Sequence, residues 1–303
     1  MFDIEQEIRE ALRLYADKGD KTYECIAFTV SNREVSDCKT YRFCKTDALE
    51  EIEAALHIPH PYIAYLRECS DTNLELFEAS VRESNDAEYA RFVLKMKTDI
   101  NLEVRNCSLK RFTDRFDRFQ AYPTIAKVSA ILENTISPRR STITQMGVEI
   151  GSEGDIAALK SYFSLRPYGY GVQKFGQFPA LEHIENVLRV LWEELGLPAA
   201  QNEFLRSCSA VLLKYSYFPF LLGLTHRAAS TECKIYFVLH PRRTFESVIV
   251  AHEQGLLREL DCLHLFTEDA LRKINDMQQC LRGLSVVFSK ESQSKLNLFF
   301  GPK

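Results

Sequence analysis

Two rhythms of apolar and polar positions alternate along this chain of 303 residues. Apolar residues three or four apart, as at Ile4, Ile8 and Leu12, predict a helix at the N-terminus. Two runs with alternating character follow at 23–30 and 39–45 and read as strands. Asp47 can cap a helix that runs to Leu56, and Pro59 and Pro61 break the pattern after it. The spacing then predicts a helical stretch over 73–84, strands over 91–98 and 101–107, and helices over 109–120 and 124–136. Further strand pairs fall at 141–150 with 157–165, 217–226 with 232–239, and 284–290 with 294–300. A Gly/Tyr/Phe-rich loop spans 166–178, and an amphipathic helix over 180–195 stops at Gly196 and Pro198. Helices over 201–214, 243–260 and 267–281 complete the pattern.

The order helix, strand pair, helix thus recurs five times. Anchored on the second strand of each pair, the units place Arg42, Arg105, Lys160, Lys234 and Lys295 about 60 residues apart. Short connections within each pair imply antiparallel hairpins. The expected fold class is therefore α+β, a single ten-stranded antiparallel barrel with helices outside it, in one domain over 1–303. Closure removes the exposed sheet edges. A barrel of about ten strands is also wider than the eight-stranded one that side chains just fill, so it has room for a ligand.

Strand faces carry the candidate chemistry. The chain repeats a phrase: Leu159-Lys160-Ser161-Tyr162-Phe163, then Cys233-Lys234-Ile235-Tyr236-Phe237, then Lys295-Leu296-Asn297-Leu298-Phe299. A strand sends residues i and i+2 to the same face, so ammonium and phenol share one face while Leu159, Phe163, Ile235 and Phe237 share the other. In 91–98 the faces divide as Phe92, Leu94 and Met96 against Arg91, Val93, Lys95 and Lys97. Charges on one face of an antiparallel sheet can simply meet solvent. Their recurrence in all five units favours a cavity that holds an anion. A ring of Lys and Arg suits a diphosphate, for which guanidinium supplies a bidentate fork. Aromatic faces among them stabilise a carbocation and keep water from it. Glu24 is a carboxylate in an otherwise apolar strand, so it is either an exposed strand end paired with a lysine or a general base.

Composition narrows the classes. The net charge of -4 argues against a nucleic-acid partner. No apolar run approaches the roughly 20 residues of a membrane span. The acidic, helical start does not read as a signal peptide. Nine cysteines without a C-x-x-C pair argue for reduced, buried thiols and a cytoplasmic location. Phosphate-binding glycine loops and a nucleophile elbow are absent. No D-D-x-x-D cluster is present to hold magnesium on a prenyl diphosphate.

Taken together, the chain resembles the ABBA-type aromatic prenyltransferases, whose α-β-β-α units close a ten-stranded PT barrel, and within them an indole-prenylating, bacterial or cyanobacterial-like branch. The resemblance rests on Tyr23-Glu24-Cys25, Tyr41-Arg42-Phe43, Lys160-Ser161-Tyr162-Phe163 and Lys234-Ile235-Tyr236-Phe237. Gly147-Val148-Glu149-Ile150-Gly151-Ser152 is similar to a run in cyanobacterial relatives that prenylate cyclic peptides. The second unit departs, with Leu102-Glu103-Val104-Arg105 where Lys-x-Tyr is expected, and the fifth has Asn297 in place of the tyrosine. The resemblance implies transfer of a dimethylallyl or geranyl group from its diphosphate to an electron-rich, indole-type small molecule in secondary metabolism. A phenolic or cyclic-peptide acceptor, or a non-catalytic barrel for an anionic or lipid ligand, is the alternative. It implies that Arg42, Arg105, Lys160, Lys234, Lys295 and Lys95 grip the diphosphate. Tyr162, Tyr236 and Tyr217 would shield the cation, and Glu24 would take the proton. No cofactor is strictly required on this reading, and Mg2+ is at most stimulatory.

Overall fold

The computed structural model describes residues 22–31, 34–44, 74–84, 87–96, 102–135, 143–151, 153–165, 181–215, 217–239, 256, 259, 280–290 and 294–301. The helices expected near the N-terminus and over 47–56, the loop at 166–178, and nearly all of 243–260 and 267–281 lie outside the described residues. The ten strands are β1 (Thr22–Ser31), β2 (Glu34–Cys44), β3 (Leu74–Ser84), β4 (Ala87–Met96), β5 (Ile143–Gly151), β6 (Ile156–Ser164), β7 (Tyr217–His226), β8 (Thr231–Leu239), β9 (Cys280–Ser289) and β10 (Lys295–Gly301). Each pairs antiparallel with its sequence neighbours, and β1 pairs with β10 to close the barrel. The expected ten-stranded barrel is present. The described helices are α1 (Leu102–Asp114), α2 (Ala121–Thr135), α3 (Leu181–Leu195) and α4 (Ala199–Lys214).

The second unit differs from the sequence reading. Within the stretch 73–84, expected to be helical, Leu74–Ser84 form β3, and within 101–107, expected to be a strand, residues 102–107 begin α1. The strand pair of this unit is therefore β3–β4. In β3 the register slips between Leu76 and Glu78, so the alternation breaks, and in the sequence Leu74, Phe77 and Val81 fall at the i, i+3, i+7 spacing of a helix. In α1 the buried residues are Ser108, Leu109, Phe112 and Thr113, a helical repeat that Leu102 and Val104 obscure in the sequence. Pro123 sits in the first turn of α2, where its missing N–H costs nothing. Gly196 ends α3 as expected: at φ +62° it donates to Glu193, and Leu197 donates back to Trp192. Pro219 lies beside a register shift in β7, where no ladder bond is asked of it.

The main hydrophobic core lies outside the barrel, between the strands and the helices. Alternating positions feed it: Phe92 and Leu94 from β4, Leu159 and Phe163 from β6, Ile235 and Phe237 from β8, Val286 and Phe288 from β9, and Leu296 and Leu298 from β10. Leu188, Leu191 and Trp192 of α3 meet them, with Trp192 edge-on to Phe288 at 4.8 Å between centroids. Each such buried side chain contributes about 1.5–3 kcal/mol. Because apolar residues take the outward face, the intervening residues are left to the lumen. The helix layer thus fixes which side chains line the cavity.

Candidate functional site: a charged and aromatic barrel lumen

The lumen is built from residues two apart on alternate strands. On β6 these are Ala158, Lys160 and Tyr162, and on β8 Glu232, Lys234 and Tyr236. On β2 they are Asp37, Lys39 and Tyr41, and on β10 Lys295, Asn297 and Phe299. Along β2 and β8 the order is carboxylate, ammonium, phenol. On β6 the carboxylate place is Ala158, and Glu149 of β5 stands in register with it across the ladder. The barrel lumen therefore carries three successive kinds of side chain.

The cations are tied to carboxylates. Lys160 approaches Glu149 at 2.6 Å, and Arg82 of β3 approaches the same carboxylate at 2.7 Å. Lys234 meets Glu232 at 2.8 Å and Lys39 meets Asp37 at 3.1 Å. Arg91 of β4 donates to Ser80 at 3.1 Å and lies over the Tyr41 ring. Glu149 is almost fully buried, at 1% exposure.

Burial and neighbouring charge act together on these groups. Burial lowers the Lys160 ammonium pKa, Glu149 opposes the shift, and Lys234, Arg91 and Arg82 reinforce it, bringing it to about 7. Burial also lowers Lys39. For Lys234 burial acts the same way, but Glu232 overcomes it and the pKa rises. Burial would raise Glu149, yet Lys160 and Arg82 hold it well below the usual carboxylate range. Five cations and three carboxylates, from Lys39 round to Lys234, thus share one enclosed field. Fully charged, the cluster carries a surplus of two positive charges, and an added anion would hold Lys160 protonated.

Next to the ammonium groups lies an aromatic belt. Tyr162 and Tyr236 are 6.4 Å apart between centroids, and Tyr236 stacks on Phe299 at 6.4 Å. Tyr41 closes on Phe299 at 6.3 Å, and Phe220 meets Tyr236 edge-on. Gly223 stands in register with both Tyr162 and Lys234. A Cβ there would lie 3.0 Å from the Tyr236 ring and 3.4 Å from Tyr162, so only glycine leaves both rings their present places. Part of the wall is neutral. Lys39 donates to Thr29 at 2.7 Å, Thr29 to Asn297 at 2.8 Å, and Asn297 to Ser285 at 3.1 Å.

The structure brings Lys160, Tyr162, Lys234 and Tyr236 together in the lumen. Lys295 joins them, one ladder step from Val287, which pairs in turn with Lys234. Lys95 lies on the same face of β4 as Arg91, in register with Gln145, the partner of Tyr162. Three expected residues fall elsewhere. Arg105 lies on α1, outside the barrel, because residues 102–107 are helical. Tyr217 is fully buried in the outer core, because a register shift in β7 reverses its face relative to Leu221. Arg42 pairs with Val81, an outer-core residue, and so faces away from Lys39 and Tyr41. Glu24 pairs in register with Arg42, and its side chain lies outside the described residues.

Sequence reasoning missed Lys39, Tyr41, Arg82, Arg91, Glu149 and Glu232 as one cluster. One signal was present: Lys39-Thr40-Tyr41 has the spacing of Lys160-Ser161-Tyr162. Among the described residues no group of His, Cys, Asp and Glu converges to hold a metal ion. Of the thiols, Cys208 and Cys233 are buried and pushed upward by burial, Cys208 to about 12, which makes them inert. Burial lowers His226 to about 4, so it is a neutral core imidazole, 3.5 Å from the Ser161 hydroxyl. No described helix is long and apolar enough to cross a membrane.

No family model matches the chain, and no curated protein matches it in sequence. Solved structures do match its fold. AnaPT from Neosartorya fischeri superposes with a TM-score of 0.55 at 8% identity, over 94% of this chain and 79% of that one. The 6-dimethylallyltryptophan synthase from Micromonospora olivasterospora, solved in complex with DMASPP and Trp, gives 0.54 at 12% identity over 93% and 81%. The 5-dimethylallyltryptophan synthase from Streptomyces coelicolor gives 0.51 at 9% identity over 94% and 81%. The chain therefore has the barrel fold of the ABBA aromatic prenyltransferases.

Proposed function

We propose that the barrel transfers an allylic prenyl group from a soluble diphosphate to an electron-rich aromatic carbon, with an indole-type small molecule as acceptor. One observation carries this reading: a cluster of cations in the lumen is followed directly by a belt of aromatic rings. Lys39, Arg82, Arg91, Lys160 and Lys234 would hold the diphosphate, helped by Lys295 and Lys95. The allylic C–O bond breaks and its electron pair leaves with the diphosphate, whose charge the cations stabilise. The allylic cation lies against Tyr41, Tyr162, Tyr236 and Phe299, which stabilise it and exclude water. The acceptor ring forms the new C–C bond and then loses a proton. Two of the barrels with this fold are dimethylallyltryptophan synthases, one of them solved with DMASPP and Trp, which supports a dimethylallyl donor and an indole acceptor here.

The proton would pass to Glu24, the general base that the resemblance implies; its backbone stands in register with Arg42 on the β1–β2 ladder. Glu24→Gln is accordingly expected to lower turnover about 10²–10⁴-fold in a folded variant, and near wild-type turnover would remove the role from Glu24.

Incubation with dimethylallyl and geranyl diphosphates, against panels of indoles, phenols and cyclic peptides, tests the proposal. Prenylated product with release of diphosphate is expected, most readily with an indole. Diphosphate bound but never released across the whole panel would make the barrel a binding protein. Activity should persist in EDTA, because the lumen cations neutralise the leaving group, while Mg2+ raises the rate by chelating diphosphate oxygens. Complete loss in EDTA, restored only by Mg2+, would overturn the metal-independent step.

A further inference from the structure

We propose that Glu232 and Glu149, with Asp37, are built-in counter-ions that weaken the hold of the lumen on diphosphate and so set the rate at which the product diphosphate leaves. This rests on the diphosphate reading above. The arrangement is systematic. Each lumen lysine of the cluster has its own carboxylate: Asp37 for Lys39, Glu232 for Lys234, and Glu149 for Lys160. On β2 and β8 the acid precedes its lysine by two residues, and on β6, where that place is Ala158, the acid is supplied from the paired position of β5. The same place is thus filled by two routes, which argues that the charge is needed there and not merely tolerated.

Position decides what such a charge does. The carboxylates lie on the side of the ammonium groups away from the aromatic belt, because acid, lysine and tyrosine follow one another at intervals of two along the strand. A diphosphate whose prenyl group lies against the aromatic belt would meet the lysines from that side and have the carboxylates behind them. It must compete with Glu149 and Glu232 for the same N–H donors, and each carboxylate also repels it directly. Glu232 and Glu149 further share the field of Arg227 at the β7–β8 turn, so removing one acid shifts the whole cluster toward positive charge. With all groups charged the positive surplus rises by one when one carboxylate is neutralised. A site with that surplus binds a polyanion more tightly and releases it more slowly.

The test is direct binding of inorganic diphosphate by calorimetry to the wild-type chain, Glu232→Gln and Glu149→Gln, with product inhibition measured alongside. At an effective dielectric near 20, one charge removed a few ångströms away changes affinity on the order of tenfold or more. Glu232→Gln should therefore bind diphosphate about tenfold more tightly, show a correspondingly lower inhibition constant for it, and turn over more slowly at saturating substrates. A merely structural role for Glu232 would weaken binding, so tightening separates the two. Its side chain is 23% exposed, so this variant is expected to fold. Glu149→Gln, at a more buried place, should tighten binding in the same direction. If the wild-type chain binds no diphosphate, the functional reading fails. If the wild type binds and folded Glu232→Gln binds equally or more weakly, the counter-ion role is wrong.

Discussion

Lys160→Ala is expected to destabilise the fold by about 3–5 kcal/mol, the usual cost of removing one partner from a buried ion pair. Glu149 is 1% exposed and is held by Lys160 at 2.6 Å and Arg82 at 2.7 Å. Without Lys160, one carboxylate oxygen faces an enclosed cavity with no ammonium to meet it. Lys234→Ala makes the comparison sharp. Its partner Glu232 is 23% exposed, so water can replace the ammonium, and the loss should be about 1 kcal/mol. Both variants should bind the diphosphate donor more weakly, since a charge-assisted contact is worth roughly 1.5–3 kcal/mol. Urea unfolding of the two variants checks the difference in stability, and donor titration checks the shared defect. A Lys160→Ala protein as stable as Lys234→Ala would mean that the Glu149 pair does not hold in solution.

The second large effect tests the division of faces. Phe288→Ala removes a fully buried ring from the outer core, where it meets Trp192, and should cost about 3–5 kcal/mol while leaving donor binding intact. Phe299→Ala removes a ring of the same size from the lumen, where it meets Tyr236 and Tyr41. Here stability should fall by about 1 kcal/mol, in line with a lost aromatic pair. The lumen would widen, and turnover should shift toward geranyl over dimethylallyl diphosphate. Thermal unfolding and product analysis of both variants decide the matter. Equal stability losses, with no change in donor preference for Phe299→Ala, would refute the face assignment.

The contrast between these residues also marks what could be read before the structure. The barrel was legible because every strand but β3 falls close to a run that alternation marks as a strand, and because Gly196 and Pro198 punctuate the amphipathic helix α3. The second unit was not. The register slip in β3 breaks the period between Leu76 and Glu78, and Val104, an exposed apolar residue on α1, lends 101–107 the look of a strand. That one-element displacement hid Arg82 and promoted Arg105 in its place. On β2 the difficulty was one of phase: Arg42 and Lys39 are both cations near Tyr41, but only Lys39 lies two residues from it. The carboxylates were invisible for another reason. Glu149 acquires its partners from β3 and β6, and no local spacing in the sequence announces a contact made across three strands.

The way the barrel closes has a consequence for how it forms. Nine of its ladders join strands that follow one another in the chain and can assemble as successive hairpins. The tenth joins β1 to β10, pairing Ile26 with Phe300. Its loop is nearly the whole chain, so its entropic cost falls due only after the other pairings have brought the two ends together. The meander should therefore zip quickly and then wait on a single late docking event. Across that seam the Thr29–Asn297 hydrogen bond, inside the lumen, acts as a stitch. The same seam is where the native state should part first: amide protons shared by β1 and β10 are expected to exchange sooner than those between β6, β7 and β8, through openings that leave the rest of the barrel folded.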